Sequence, residues 1–340
     1  MKLLNQNSLV VVHNGPFHAD EVFSVATLTI IEPTIKIIRT RDPLGWESAD
    51  FRVDVGGKYD AATGDFDHHQ EGFEERHPSP HARYEIGPKL SSIGLIWRHY
   101  GLRAIHSILS KLKQDYEKDD ECLLFIHDQI NKSVIVSIDA MDNGESKDFY
   151  LDNGAYRIPS IVRFIQNLNP TWLEKDSDID ECFNTAVKLT INYLTREVMR
   201  NLSVYSGRFT LLDKVKEVDS SGILVLEEFM PWSPIFTKHP EETKHIKMVI
   251  FPSNDIWMVQ SPYYNWKVDA GKFSDLTKDG KKRKQRYPAP SHICGKTNEE
   301  LSELTNIPDC TFIHMSGFIG GTKSREGALK LAQYIIDHQE

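Results

Sequence analysis

With 340 residues the chain exceeds the usual span of one hydrophobic core, and its 40% hydrophobic and 26% charged content excludes a largely disordered or fibrous protein. A net charge of -9 argues against broad electrostatic capture of nucleic acid, so an anionic substrate needs local positive charge from metal ions or a basic segment. No apolar run approaches the roughly 20 residues of a membrane-spanning helix, no secretory layout opens the chain, and the four cysteines lack CxxC spacing. A soluble protein with reduced thiols and no membrane partner is expected, cytoplasmic, with a nuclear or other organellar pool left open.

Leu9 to Val12 reads as a short buried strand, followed by turn chemistry at His13-Asn14-Gly15-Pro16. His18 and Asp20 then stand at the start of an apolar helix from Glu21 to Ile31. Ile35 to Arg39 and Phe51 to Val53 are further strand candidates, the second ending at Asp54-Val55-Gly56-Gly57. Tyr59 to Phe66 looks extended and closes on Asp67-His68-His69. A polar loop to Pro88, with His77, His81 and Arg83, reads as a substrate-facing flap. Helices are expected over Lys89 to Tyr100, Ala104 to Lys113 and Glu121 to Ile130, then a β-branched strand, Val134 to Ile138, delivering Asp139.

Strands alternating with helices predict an α/β fold with a mainly parallel sheet, in which ligands bind beyond the carboxyl ends of the strands. His13, Asp54 and Asp139 fall there. Residues 1–170 form the expected catalytic domain, 171–218 a helical linker, and 219–340 a smaller mixed α/β domain that binds substrate, with the active site in the cleft between the two domains. In the second domain, Ile223 to Leu226, Ile246 to Phe251, Ile256 to Gln260 and Cys310 to His314 read as strands, and Lys323 to Ile336 as a closing helix.

Carboxylates and imidazoles without neighbouring thiolates suit Mn2+ or Mg2+. Two such ions about 3.5–4 Å apart, bridged by one carboxylate, polarise a phosphoryl oxygen and generate a hydroxide. The sequence offers His13, His18, Asp20, Asp54, His68 and Asp139 as ligands, with Asp67 and His69 in reserve. Singly, a loop histidine is more often solvated and an Asp beside glycine more often a turn former. Four clusters after four strand-like runs reverse that balance.

The motifs His13-Asn14-Gly15-Pro16-Phe17-His18-Ala19-Asp20-Glu21, Asp54-Val55-Gly56-Gly57, Phe66-Asp67-His68-His69-Gln70, Lys89-Leu90-Ser91-Ser92-Ile93-Gly94-Leu95, Asp139-Ala140-Met141-Asp142-Asn143-Gly144 and His314-Met315-Ser316-Gly317-Phe318-Ile319-Gly320-Gly321 together resemble the melanocyte-proliferating-gene family, within the DHH superfamily of phosphoesterases. The resemblance runs nearly end to end. It implies a DHH-type phosphoesterase, a 3′ to 5′ exonuclease acting on RNA or a short oligonucleotide with two divalent ions, Mn2+ foremost. By motif, His13 and His18 would bind one ion, Asp20, His68 and Asp139 the other, and Asp54 would bridge them. Asp67 would orient the imidazoles, and His69 would contact phosphate or assist proton transfer. His18 stands where the wider superfamily usually has Asp.

Gly317 to Gly321 is expected between a strand and a helix, so that Gly320 and Gly321 amides cradle phosphate with help from His314 and Ser316. The basic run Lys281 to Arg286 reads as a solvated loop, an RNA contact or an import signal, and Tyr263, Tyr264 and Trp266 as stacking candidates. Two other functions stay open: hydrolysis of a small phosphate compound such as pyrophosphate, a short oligonucleotide or a cyclic dinucleotide, and a binding module without catalysis. The oligomeric state is left open, a homodimer included.

Overall fold

The computed structural model describes residues 1–78, 86–145, 160–265 and 285–339. His81, Arg83, Trp266 and Lys281 to Lys284 lie outside the described residues. The chain forms two compact units, Met1–Leu202 and Ser203–Glu340.

In the first unit, β1 (Leu9–Val12), β2 (Lys36–Arg39), β3 (Phe51–Val53), β4 (Tyr59–Asp60) and β5 (Asp65–Phe66) form a sheet of order β2-β1-β3-β5-β4. All pairings are parallel except the β4–β5 edge, so the stretch read as one extended segment is a hairpin. The register pairs Val11 with Arg52 and Val53 with Phe66. Following it beyond the strand ends brings His13, Asp54 and Asp67 into one row at the carboxyl edge, which is how residues far apart in sequence meet.

Helix α1 (Ala19–Ile31) is buried almost all round, its Val22, Phe23, Val25, Ala26, Leu28 and Ile30 packed inward together with the polar Asp20, Glu21, Ser24 and Thr27. After the short α2 (Pro43–Trp46) comes α3 (Ser92–Lys111), which packs on α1. This is one helix where two are expected: at Gly101 a Cβ would stand 2.8 Å from both His127 and Trp97, so the glycine admits a stacked Trp97–His127 pair rather than ending the helix. Phe51, Phe66 and Tyr100 join sheet to helix in a buried aromatic cluster.

The largest departure lies after α4 (Asp120–Ile130). Val134 to Ile138 is not a strand: a π-helical turn, Asn131–Ile135, leads into α5 (Val136–Asp142). Ile130, Val134, Ile135, Ile138 and Asp139 are buried while Lys132, Ser133 and Ser137 are exposed, a helical rather than alternating pattern. β-Branching costs a helix only a few tenths of a kcal/mol per residue, roughly, and packing against α3 overrides it. Helices α6 (Ile161–Gln166) and α7 (Ile179–Lys216) follow; α7 begins well after Pro170.

In the second unit β6 (Ile223–Val225), β7 (Met248–Ser253), β8 (Ile256–Gln260), β9 (Cys310–Ile313) and β10 (Ile319–Thr322) form a sheet of order β6-β7-β8-β10-β9, antiparallel except for β6–β7. Its short helices are α8 (Trp232–Lys238), α9 (Pro240–Thr243) and α10 (Asn298–Thr305). Helix α11 (Arg325–Asp337) lays Ala328, Leu331, Ala332 and Ile335 into a core with Met248, Ile250, Val259 and Ile313. No helix among the described residues is long and apolar enough to cross a membrane.

Candidate active site

Three groups of acidic and imidazole side chains converge at the carboxyl edge of the first sheet: His13, His18, Glu21 and Asp54; Asp54, His68 and His69; and Asp20, His68 and Asp142. Asp54 belongs to the first two and His68 to the last two. Asp54 Oδ2 lies 3.3 Å from His13 Nε2, and its Oδ1 lies 3.7 Å from His68 Nε2 and 3.4 Å from His69 Nδ1. Glu21 Oε1 is 2.9 Å from His13 Nε2, and Asp142 Oδ2 is 3.1 Å from His68 Nε2.

The backbone aims these groups. Asp54 sits at φ +56, a left-handed conformation that Asp and Asn tolerate better than bulkier residues, and Gly56 and Gly57 continue it at +99 and +61. The loop thereby turns back so that Gly57 N donates to Asp67 Oδ2. Asp67 Oδ1 accepts from the His68 and His69 amides and from His69 Nδ1, 2.8 Å away. The Asp67 carboxylate therefore orients His69 directly; the His68 ring is turned instead by Asn143, whose Oδ1 accepts from Nδ1 at 3.3 Å. His13 Nδ1 likewise donates to the Asn14 carbonyl. Both rings are thus fixed with Nε2 facing the cluster, the tautomer a metal ligand needs.

Electrostatics point the same way. Burial alone would depress His13, yet hydrogen bonds to Asp54 and Glu21 raise it to about 10. His68, also opposed by burial, is pushed to about 11 by Asp142 and Asp54. Asp54 is held well below the carboxylate range, burial notwithstanding, by His13 and His68. Burial, then the charges of Asp142 and Asp54, push Asp20 well above its ordinary value. The crowded carboxylates call for positive charge, which is why both imidazoles are pushed upward.

A divalent cation fits these residues. His13 Nε2, His68 Nε2, Asp54 Oδ1 and Glu21 Oε2 are buried polar atoms that face charged neighbours in this cluster without a hydrogen bond of good geometry. Buried polar atoms are nearly always satisfied, so four such atoms in one cluster of hard and borderline donors mark a cation site.

Two of these residues, Glu21 and Asp142, were assigned no role from sequence. Glu21 follows His18 by three positions in the first turn of α1 and accepts the His18 amide. Asp142 follows Asp139 by three, a spacing that puts both on neighbouring helix positions. Reading that stretch as a strand hid it.

Asp139 does not join the three groups. Its Oδ1 accepts from Ser91 N, Ser91 Oγ and Gly94 N, and its Oδ2 is bonded to His77 Nε2. Asp20 caps the same helix end, accepting from Ser91 Oγ and the Ser92 and Ile93 amides, while its Oδ2 still reaches to 3.9 Å from His68 Nε2. His77, expected on a flap, is buried as Asp139's partner. A Cβ at Gly94 would collide with the Asp139 carboxylate and Leu90. Gly94→Ala is therefore expected to cost about 1–3 kcal/mol of stability or more, read as a lowered midpoint of thermal unfolding.

In the second unit, His314 Nδ1 and Ser316 Oγ lie 2.8 Å apart in the exposed turn joining β9 to β10. Gly320 and Gly321 lie inside β10, paired with Ile313 and Phe312 on one side and Val259 and Met258 on the other. Their amides face sheet neighbours, not a helix amino terminus. A Cβ on Gly320 would crowd Ile313 and one on Gly321 would stand 2.9 Å from Phe312 and Thr311, so cross-strand packing accounts for both glycines. Of the basic run, Arg286 is committed to the carbonyls of Thr243 and Lys244.

The chain matches the MYG1 exonuclease family, described as uncharacterised protein family UPF0160, over residues 9–336. It is 33% identical to the MYG1 protein of Schizosaccharomyces pombe over 98% of this chain and 99% of that protein. It is 31% identical to the human MYG1 exonuclease over 95% of this chain and 84% of that one. Among solved structures, RecJ of Thermus thermophilus with Mn2+ covers 99% of this chain and 53% of its own at 14% identity, with a TM-score of 0.24, too remote to relate individual residues. A family match spanning nearly the whole sequence, over a convergent acidic and imidazole site, leads to one assignment: the chain belongs to the MYG1 exonuclease family.

Proposed function

We propose that the protein is a two-metal phosphodiester hydrolase that removes nucleotides from the 3′ end of RNA, with Mn2+ foremost and Mg2+ as the alternate ion. The observation that carries this reading is Asp54, whose two oxygens serve two different groups of imidazoles. In it, His13, His18 and Glu21 would hold one ion and His68, Asp20 and Asp142 the other, with Asp54 available to both. Bound there, divalent ions supply a polarised phosphoryl oxygen and an ionised water. The chain's own residues do the rest. To ligate, His13 and His68 would have to release their Nε2 protons to solvent, while Nδ1 of each ring stays held by Asn14 and Asn143. His69 is 62% exposed at its side chain, and the Asp67 hydrogen bond raises its pKa. It stands as the proton donor to phosphate or leaving oxygen, with Asp67 fixing its ring.

Exposed and hydrogen-bonded to each other, His314 and Ser316 are proposed to contact substrate. Four free cysteines favour a reducing compartment, here the cytoplasm.

Purified protein with Mn2+ or Mg2+ is expected to shorten 5′-labelled RNA one nucleotide at a time, faster than DNA of the same sequence. Turnover of pyrophosphate or a dinucleotide without any ladder on RNA would move the function to small phosphate compounds. No hydrolysis of any of these with either ion would overturn the reading.

A further inference from the structure

A cleft of about 530 Å³ opens over the cluster and is lined by His13, His18, Asp54, His69 and Asp142, among others. Arg41 is the one arginine or lysine lining it among the described residues. Although carboxylates line the same cleft, exposed Arg41 has no hydrogen bond or ion pair among the described residues. Arg39, two residues earlier, shows the contrast. Its side chain is 3% exposed, bonds Asp180 and the Gly15 carbonyl, and lies over the rings of Phe17 and Phe183. One arginine of the pair holds structure together, and the other has its guanidinium donors unused among the described residues.

Trp46 lines the cleft as well, while packing beside Val11, Ala49 and Val55. The turn between β2 and β3 is built to place it. Asp42 Oδ1 accepts the Leu44 amide at the start of α2. At Gly45 a Cβ would stand 2.8 Å from the Thr40 methyl, so a larger residue would push Thr40 aside where α2 folds back. Trp46 Nε1 then donates to the Thr40 carbonyl, and Arg52 Nη1 donates to the Trp46 carbonyl at 3.0 Å. A planar ring fixed at Nε1, with its backbone carbonyl held by Arg52, stands five residues from a guanidinium unpaired among the described residues and beside a cation site, which matches the parts of a nucleotide: base, phosphate and the bond to be cut.

Resting on the phosphodiesterase reading above, we infer that Arg41 and Trp46 form a nucleotide subsite, Arg41 binding the phosphate next to the scissile one and Trp46 stacking on the base. A guanidinium fork matches phosphate oxygens in a way that an ammonium does not, and an indole face accepts any base. The substrate class is a nucleoside phosphate, not a bare phosphate compound.

Direct binding of adenosine 5′-monophosphate and of ribose 5-phosphate with Mn2+ present, followed by calorimetry, tests this without requiring turnover. Arg41→Ala is expected to weaken both ligands by about tenfold or more, with Arg41→Lys recovering part. Trp46→Ala is expected to weaken adenosine monophosphate by about tenfold and leave ribose 5-phosphate as it was, while Trp46→Phe retains most of the binding. In the RNA assay, Arg41→Ala raises KM more than it lowers kcat. Equal binding of the two ligands by wild type, or unaltered binding by Arg41→Ala, overturns the subsite. Absence of RNA cleavage by wild type alongside intact nucleotide binding would instead sink the hydrolase reading alone.

Discussion

Asp54→Asn is expected to abolish tight binding of Mn2+ and to lower turnover by a factor on the order of a thousand, since bridged metal ions contribute several kcal/mol to the barrier. Asparagine is the informative replacement because it tolerates the φ of +56 at this position. The loop through Gly57 then keeps its path, and only the charge is lost. That charge is what His13 Nε2 and His68 Nε2 both face, at 3.3 and 3.7 Å. Calorimetric titration with Mn2+, turnover on RNA, and a thermal melt showing an intact fold form the necessary set. A variant that stays folded and keeps activity within tenfold of wild type would remove Asp54 from the centre of the site.

Metal binding at neutral pH is expected to expel protons, and metal affinity is expected to climb steeply with pH. His13 and His68, raised to about 10 and about 11, are protonated at pH 7 in the metal-free protein but must be neutral to ligate. Each proton displaced makes affinity change about tenfold per pH unit. The metal-free protein shows the opposite trend in stability. A group whose pKa is raised on folding contributes stability fully below its ordinary value, near 6.5 for these imidazoles, and loses it as pH rises toward 10 and 11. Asp20, raised as well, also works against the fold as pH climbs above its ordinary carboxylate range. The gain in melting temperature on adding Mn2+ to chelator-treated protein therefore grows between pH 6 and 9 (roughly). Calorimetry in buffers of differing ionisation enthalpy counts the protons released. Zero protons, or a metal-induced gain that shrinks with pH, would contradict the assigned ligands.

Strand ends were the readable part of this sequence. Asp54 and Asp67 each follow an apolar run short enough to be a strand, and the parallel register carries both, with His13, to one edge. What sequence conceals is the partner of each group. Val134, Ile135 and Ile138 have the composition of a strand, and only their packing against α3 makes them helical. With that helix comes Asp142, one turn beyond Asp139. Glu21 sits inside an apolar helix, where local pattern assigns it no task; burial beside His13 does. His77 looked like a polar loop residue, and nothing local says that its ring bonds a carboxylate 62 positions onward. The glycines at 320 and 321 carried a phosphate-binding pattern that the strand around them explains by close packing.

The start of α3 shows where tolerance to mutation should be least. Four backbone amides, those of Ser91, Ser92, Ile93 and Gly94, end on the carboxylates of Asp20 and Asp139, so a helix of 20 residues begins on side chains borrowed from α1 and α5. Ser91 Oγ lies 2.7 Å from one carboxylate and 2.6 Å from the other, yet has a single proton to give. Asp20 thus serves as joint and as instrument at once. A lesion there cannot be sorted into damage to chemistry or damage to architecture, whereas lesions at His69 or Asp142, which brace no helix end, can. Inherited or engineered variants at Asp20 should be scarce as soluble protein before their activity can be weighed at all.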